Sequence, residues 1–150
     1  GVERMQPDEQ TSILVADAET VTRARFWRKR LGGGMRQAGI LAAACIYAMD
    51  HNVERLAEDH RLAAIIGGAV EATEGLRLLF PVETNIVIFR VDDENIDFER
   101  FCERLEAEGI MALAFGDRSV RMVTHLDLTR EDIERVARML PGLCRPETRR

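Results

Sequence analysis

The sequence is poor in lysine and in aromatic residues. Its 21 basic residues include a single lysine, Lys29, and stand against 26 acidic residues, so the formal net charge is −5. Aromatic residues make up only 5% of the chain. An acidic balance with few rings for base stacking argues against a nucleic-acid surface and against an anionic membrane surface. We therefore expect neither nucleic acid nor a membrane among the partners.

Long apolar runs and paired cysteines are also missing. No apolar run reaches the roughly 20 residues of a membrane helix, because residues 38–49 are interrupted by Gly39 and closed by Asp50. The three cysteines are widely spaced, without a second cysteine or histidine at metal-ligand spacing. This disfavours a disulfide framework and a metal site, and it favours a reducing, cytoplasmic location. No signal peptide is visible, and the opening Gly1 suggests that upstream sequence is missing.

Apolar periodicity and turn residues predict an α/β fold in 150 residues, long enough for one domain or a domain with part of another. After a short strand over 12–15 and helices over 17–30 and 35–49, the order is helix, strand, helix, strand, strand, helix. We expect these last elements at 55–72 with Asn52 as cap, 83–91, 97–108, 110–114, 120–124 and after the cap Thr129.

The predicted helix over 35–49 is apolar on nearly every side. Alone it would expose Ile40, Leu41, Ile46 and Tyr47 on several faces. We therefore expect it to be covered by another domain or subunit, and we expect self-association.

Three consecutive glycines, residues 32–34, follow Lys29 and precede Arg36. Glycines let the backbone approach a ligand and direct successive N–H groups at it, while the two cations supply charge, so the block predicts a phosphate or carboxylate site. The spacing matches neither the P-loop nor the dinucleotide fingerprint. A solvated basic helix end is equally compatible with these residues.

Arg121 interrupts an apolar strand and shares a face with Val123 and His125 by the period of two. A fork of N–H donors at such a position predicts an anionic partner. The alternative is an ordinary ion pair with a nearby acid such as Asp117. For His125 we favour a hydrogen bond to a turn over proton transfer.

Four blocks follow one another along the chain: RFWRKRLGGGMRQAGILAAA, HNVERLAEDH, VETNIVIF and VRMVTHLDLTREDIE. In this order they resemble the C-terminal part of the low-specificity L-threonine aldolases, pyridoxal-phosphate enzymes of the aspartate-aminotransferase-like fold type I. The resemblance runs from about residue 12 to residue 140. It implies that residues 1–49 are the edge of the large cofactor-binding domain. Residues 50–142 would then be a two-layer C-terminal small domain, with helices on a mostly antiparallel sheet, and 143–150 a flexible tail.

The resemblance also implies an activity and site residues. It implies a carbon–carbon lyase that cleaves threonine or allo-threonine to glycine and acetaldehyde and assembles as a homodimer or homotetramer. Lys29 and Arg36 would lie near the phosphate of pyridoxal phosphate across a subunit interface, and Arg121 would hold the carboxylate of the amino-acid substrate. The lysine that forms the Schiff base in this family would fall near Arg4, where no lysine stands. We therefore assign no catalytic residue and expect this chain alone to be inactive.

Two alternatives stay open. The chain could be a truncated, non-catalytic subunit or interaction module derived from that family, or a free-standing domain that binds an anion or amino acid. Thr84 and Asn85 resemble the E-T-N segment of the family, for which we expect capping and domain-packing roles.

Overall fold

The computed structural model describes residues 14–144. The chain divides into two compact units, residues 1–53 and 54–150. Within the described range, two helices belong to the first unit, and three helices with a four-stranded sheet belong to the second. The elements are α1 (Ala18–Arg30), α2 (Gly39–His51), α3 (Leu56–Glu71), β1 (Leu76–Leu78), β2 (Ile86–Val91), α4 (Phe98–Ala107), β3 (Leu113–Ala114), β4 (Ser119–Val123) and α5 (Arg130–Leu143).

The helix α1 begins as the sequence predicts. The carboxylate of Asp17 accepts hydrogen bonds from the backbone N–H of Thr20 at 2.9 Å and from its hydroxyl at 2.8 Å. The carboxylate thus satisfies one of the N–H groups that a helix start leaves unpaired. The strand predicted over 12–15 is absent at Leu14 and Val15, and residues 12 and 13 lie outside the described range.

The helix α2 starts four residues later than predicted. Gln37 has a φ of 53°, a left-handed backbone conformation that an α-helix does not contain, so the residues before Gly39 stay outside the helix. At the other end α2 runs to His51, beyond the predicted limit of residue 49. The backbone N–H of Asn52 bonds to the carbonyl of Ala48 at 2.8 Å, so Asn52 ends α2 and does not cap α3.

The second unit is built on an antiparallel sheet with the strand order β1-β2-β4-β3. The sequence predicts β2 and β4 but not β1, because a strand of three residues is too short to show an alternating pattern. β3 has two residues, whereas the prediction covers 110–114. In β2 the side chains alternate between fully buried and half-buried, which fixes one face of the sheet toward the core.

The helices α3, α4 and α5 enclose the hydrophobic core with one face of this sheet. The ring of Phe89 on β2 meets that of Phe101 on α4 edge to face, with centroids 6.3 Å apart. This is the predicted two-layer arrangement, helices on an antiparallel sheet, and the α/β fold class is confirmed. The core side chains from the sheet are Leu76, Val87, Phe89, Val91, Val120 and Met122, and those from the helices include Leu62, Ile66, Val70, Phe101, Leu105, Ile133 and Leu140.

The last two helices start where the sequence predicts, and the predicted cap Thr129 is present. Asp97 accepts a hydrogen bond from the N–H of Arg100 at 3.2 Å, and Thr129 forms a capping box with Asp132 at the start of α5. The helix α5 continues through Leu143, and Cys144 is buried, so these two residues belong to the second unit and not to the predicted tail. Residues 145–150 lie outside the described range.

Candidate functional site

The glycine block after α1 serves as a helix end. Gly32 has a φ of +85°, and its N–H bonds to the carbonyl of Lys29 at 3.3 Å. The N–H of Gly33 bonds to the carbonyl of Arg28 at 2.8 Å, which completes a Schellman motif. The expectation that these glycines direct successive N–H groups at an anion is therefore wrong for Gly32 and Gly33, because both N–H groups are already used by α1.

Lys29 and Arg36, in contrast, keep their charged groups free for a ligand. Both residues are exposed in the first unit, and neither side chain makes a hydrogen bond or ion pair with another described residue. Lys29 lies in the last turn of α1 with Arg28 and Arg30, where cations also offset the negative end of the helix dipole. This segment therefore offers an anion the charges of Lys29 and Arg36 without the N–H groups of Gly32 and Gly33.

Arg121 lies on β4, between β2 and β3. Its neighbours Val120 and Met122 are buried against the helices, so the alternation of the strand turns Arg121 to the opposite face of the sheet. There it is half-buried, with Ile88 opposite on β2 and Leu113 opposite on β3. Arg121 is thus a charged group set among apolar neighbours.

The alternative that Arg121 pairs with Asp117 is wrong. The Oδ2 atom of Asp117 lies 3.0 Å from Nη2 of Arg90, and Nε of Arg90 lies 3.2 Å from Oδ1 of Asp92. The side chain of Arg121 makes no hydrogen bond or ion pair within residues 14–144. A half-buried guanidinium without an internal partner favours an external anion.

The side chain of Arg121 lines a pocket on this face of the sheet, and the pocket has a volume of about 370 Å³. The lining contains one permanent cation, one imidazole and no acidic side chain. The remaining lining residues are apolar. The lining residues are Met111, Ala112, Leu113, Arg121, Val123 and His125.

His125 both bonds to a turn and lines this pocket. Its Nδ1 atom accepts a hydrogen bond from the backbone N–H of Asp127 at 3.3 Å, and its carbonyl accepts one from the N–H of Leu128 at 3.0 Å. The predicted role as a turn-bonding residue is confirmed. Its side chain is nevertheless 53% exposed and shares the pocket with Arg121.

A buried hydrogen-bond network holds the segment between Arg121 and His125. The hydroxyl of Thr124, which is fully buried, donates to the carbonyl of Asp59 on α3 at 2.7 Å. The N–H of Thr124 donates to the carbonyl of Asn85 at 2.9 Å, and the side-chain amide of Asn85 donates back to the carbonyl of Thr124 at 2.8 Å. The end of β4 is therefore fixed both to α3 and to the start of β2.

This network links three of the sequence blocks by hydrogen bonds. Asp59 is itself buried and forms a bidentate pair with Arg55, at 2.8 and 3.2 Å. The sequence analysis assigned packing to Asn85 but missed Asp59 and Thr124 as its partners. The reason is sequence distance, because Thr124 is 39 residues from Asn85 and 65 from Asp59.

Arg118 is a further residue whose contacts the sequence analysis did not predict. Its guanidinium donates to the carbonyls of Val91, Asp93 and Ile96 at 2.8–2.9 Å. Its φ of 49° is left-handed, and these three bonds hold it in that conformation. Arg118 thereby anchors the hairpin that carries β3 and β4.

Across the described range, no group of three or more His, Cys, Asp and Glu residues could hold a metal ion. None of the helices between residues 14 and 144 combines the length and apolar character needed to cross a membrane.

Comparisons with known proteins identify relatives. The family described as beta-eliminating lyase matches residues 10–94. The low specificity L-threonine aldolase of Escherichia coli (strain K12) is 43% identical over 126 residues, 84% of this chain and 36% of that protein. The probable low-specificity L-threonine aldolase 2 of Arabidopsis thaliana is 35% identical over 127 residues, 83% of this chain and 36% of that protein.

A third relative, the low-specificity L-threonine aldolase of Candida albicans, is 30% identical over 129 residues, 86% of this chain and 33% of that protein. The predicted resemblance to these aldolases is confirmed. The chain spans about a third of the length of the curated relatives it matches.

Proposed function

The chain belongs to the beta-eliminating lyase family, and we propose that it forms the C-terminal part of a pyridoxal-phosphate-dependent L-threonine aldolase. The proposed reaction cleaves threonine or allo-threonine to glycine and acetaldehyde, in threonine catabolism and glycine synthesis. The names of the aldolase relatives support this proposal, as does a separate antiparallel unit built around the R-M-V-T-H segment. We propose a cytoplasmic homo-oligomer, either a dimer or a tetramer.

Arg121 carries the substrate-binding part of the proposal. An amino-acid substrate brings a carboxylate, and the half-buried Arg121 has a guanidinium fork with no acidic partner in the described part of the chain. No acidic side chain lines the pocket to compete with the carboxylate of the substrate. We propose that Arg121 binds both carboxylate oxygens and so fixes the orientation of the substrate.

The described residues fit one end of pyridoxal phosphate. Lys29 and Arg36 are exposed cations without acidic partners, which suits a phosphate group, although the N–H groups of Gly32 and Gly33 are not available to it. When bound, the cofactor would withdraw electrons from the α-carbon of the substrate. The part played by this chain is to hold the phosphate and the carboxylate in place.

We further propose that these 150 residues do not catalyse the cleavage alone. Lys29 is the single lysine of the sequence, and we assign it to the phosphate and not to a covalent bond with the cofactor. Arg4, near which the resemblance places that covalent lysine, lies outside the described residues.

A chimera tests the proposed function directly. The matched region of the Escherichia coli (strain K12) relative, 126 residues long, would be replaced by the corresponding residues of this chain. We expect the chimera to cleave threonine. Arg121→Gln in this background should lower kcat/KM about a hundredfold, since a bidentate bond between charged groups is lost.

Arg90→Gln is the matched control, because Arg90 lies on the same face of the sheet but is already paired with Asp92 and Asp117. It should leave kcat/KM nearly unchanged. A soluble, folded chimera without threonine cleavage would contradict the proposal, and equal effects of the two substitutions would contradict the role of Arg121.

Borohydride reduction tests the inactivity of the chain alone. The purified chain would be mixed with pyridoxal phosphate, reduced and digested for mass analysis, beside a threonine-cleavage assay. We expect neither a specific adduct nor turnover. A stoichiometric adduct at Lys29, absent from Lys29→Arg, together with turnover would mean that Lys29 binds the cofactor covalently.

A further inference from the structure

The pocket of Arg121 contains a second hydrogen-bond donor whose orientation is set by the backbone. The Nδ1 atom of His125 accepts the N–H of Asp127, so in the neutral imidazole Nδ1 carries no hydrogen. We assign the remaining hydrogen to Nε2 from this hydrogen bond. Turn-bonding by Nδ1 therefore makes Nε2 an N–H donor.

This Nε2–H group has no acceptor among the residues of 14–144. His125 is half exposed, and it lines the same pocket as Arg121. Among the described residues, the one acid within 4 Å of its ring nitrogens is Asp127. The Oδ2 atom of Asp127 lies 3.7 Å from Nδ1, the nitrogen that faces the turn. The pocket thus combines a guanidinium and an imidazole N–H, with no acceptor in its lining side chains.

Hydrogen bonds hold the backbone that precedes this imidazole. Thr124, the preceding residue, is fully buried and bonded through its hydroxyl, its N–H and its carbonyl to Asp59 and Asn85. Arg121 lies three residues earlier on a paired strand. Both donors are therefore attached to backbone that is held on two sides, which favours one shared ligand over two independent ones.

We propose that His125 is a second binding residue for the substrate and donates its Nε2–H to the carboxylate that Arg121 binds. The proposal rests on the proposed function of Arg121 and extends it. The apolar walls formed by Met111, Leu113 and Val123 suit a small ligand with one charged end and a short aliphatic part. The ligand class is a small carboxylic acid, of which an α-amino acid is the physiological form.

The test uses acetate as the probe and the full 150-residue chain. Acetate would be titrated into the isotope-labelled chain at about pH 8, above the usual titration range of imidazoles, with ionic strength held constant by chloride. Resonances of the Arg121 guanidinium and the His125 ring report binding. We expect both to move with one apparent Kd, and Arg121→Gln to abolish the shift at His125.

Two replacements of His125 separate its two roles. His125→Asn keeps an acceptor near the position of Nδ1 but removes the Nε2 donor, and we expect it to raise the Kd about tenfold. His125→Gln places an amide N–H near the position of Nε2 and should restore part of the affinity. His60→Asn, at an exposed histidine of α3, should leave the Kd unchanged. The amide shift of Asp127 monitors the turn in each variant.

An unchanged Kd in His125→Asn, with binding still lost in Arg121→Gln, would overturn this proposal and leave the role of Arg121 intact. Acetate shifts at neither residue would overturn the assignment of the carboxylate to Arg121, and this proposal with it. A third result is that His125→Asn lowers the affinity without relief by His125→Gln while the amide resonance of Asp127 also shifts. That result would overturn the proposal and mean that His125 only supports the turn.

Discussion

At the residue scale, the buried hydroxyl of Thr124 determines how firmly the candidate site is held. Thr124→Val keeps the shape of the side chain but removes the donor to the carbonyl of Asp59. The carbonyl of Asp59 keeps its hydrogen bond within α3, so the substitution removes one buried hydrogen bond, which contributes about 0.5–1.5 kcal/mol. We expect the free energy of unfolding to fall by that amount in urea titrations of the chain.

Thr124→Ser is the matched control for this prediction, because it retains the hydroxyl and loses only a methyl group. It should be distinctly less destabilising than Thr124→Val. The reverse order would show that packing of the methyl group, and not the hydrogen bond to α3, is what Thr124 contributes.

Cys144 leads to a second prediction at this scale. Burial raises the pKa of its thiol to about 11, with the nearby charge of Arg104 opposing the shift and that of Asp93 adding to it. The thiolate is the reactive form, so little of it exists at neutral pH in the native chain. Iodoacetamide should therefore modify Cys144 much more slowly than Cys45, as measured by peptide mass analysis over time.

Urea provides the control, since unfolding exposes both thiols and should bring the two alkylation rates together. Equal rates for Cys144 and Cys45 in the native chain would contradict the buried position of Cys144 at the end of α5.

At the element scale, the start of α5 depends on pH. The hydrogen bond from the Thr129 side chain, followed by that from its backbone, lowers the pKa of Asp132 below the ordinary value of 3.8. Asp132 thus stabilises the folded state at pH values above its unfolded pKa, and this contribution is lost as the pH falls through the lower, folded pKa. Asp132→Asn should therefore reduce the loss of stability on acidification.

Unfolding midpoints measured between about pH 2 and pH 6 check this prediction, since that window brackets the titration of aspartate. Glu131→Gln removes a neighbouring charge in the same helical turn without touching the capping box, and it should leave the acid dependence nearly as in the unmodified chain. The prediction fails if the Asp132→Asn curve parallels that of the unmodified chain.

Helix ends were the most predictable elements because their signals are local. Asp17, Asp97 and Thr129 act on N–H groups within three residues, and the sequence placed a helix start at each of them. It named Thr129 as a cap, whereas its other predicted cap, Asn52, was wrong. The short strands β1 and β3 were missed or overextended, because their limits depend on which strand lies beside them.

At the scale of the whole molecule, α2 leads us to expect association between copies of the chain. Its side chains are apolar on nearly every side of the helix, and Ile40 and Ile46 are 80% and 55% exposed. Apolar surface of this kind is unfavourable in water. We expect sedimentation velocity to show concentration-dependent self-association, and the double variant Ile40→Ser with Ile46→Ser to weaken it.

Met111→Ser, at an apolar residue that is 94% exposed in the second unit, is the control and should leave the association unchanged. A monodisperse monomer at all concentrations would contradict the prediction.

The sequence by itself determined the family, the α/β class and the cap of α5 at Thr129, because each depends on neighbouring residues or on blocks in a linear order. It also identified Arg121 as a candidate, since a charge that breaks an apolar alternation is visible along the chain. The partners of these residues were decided by the tertiary structure. Strand pairing brings Arg90 to Asp117 and leaves Arg121 unpaired, while Thr124 reaches Asp59 across 65 residues. Such contacts follow from register and packing, which no local pattern encodes.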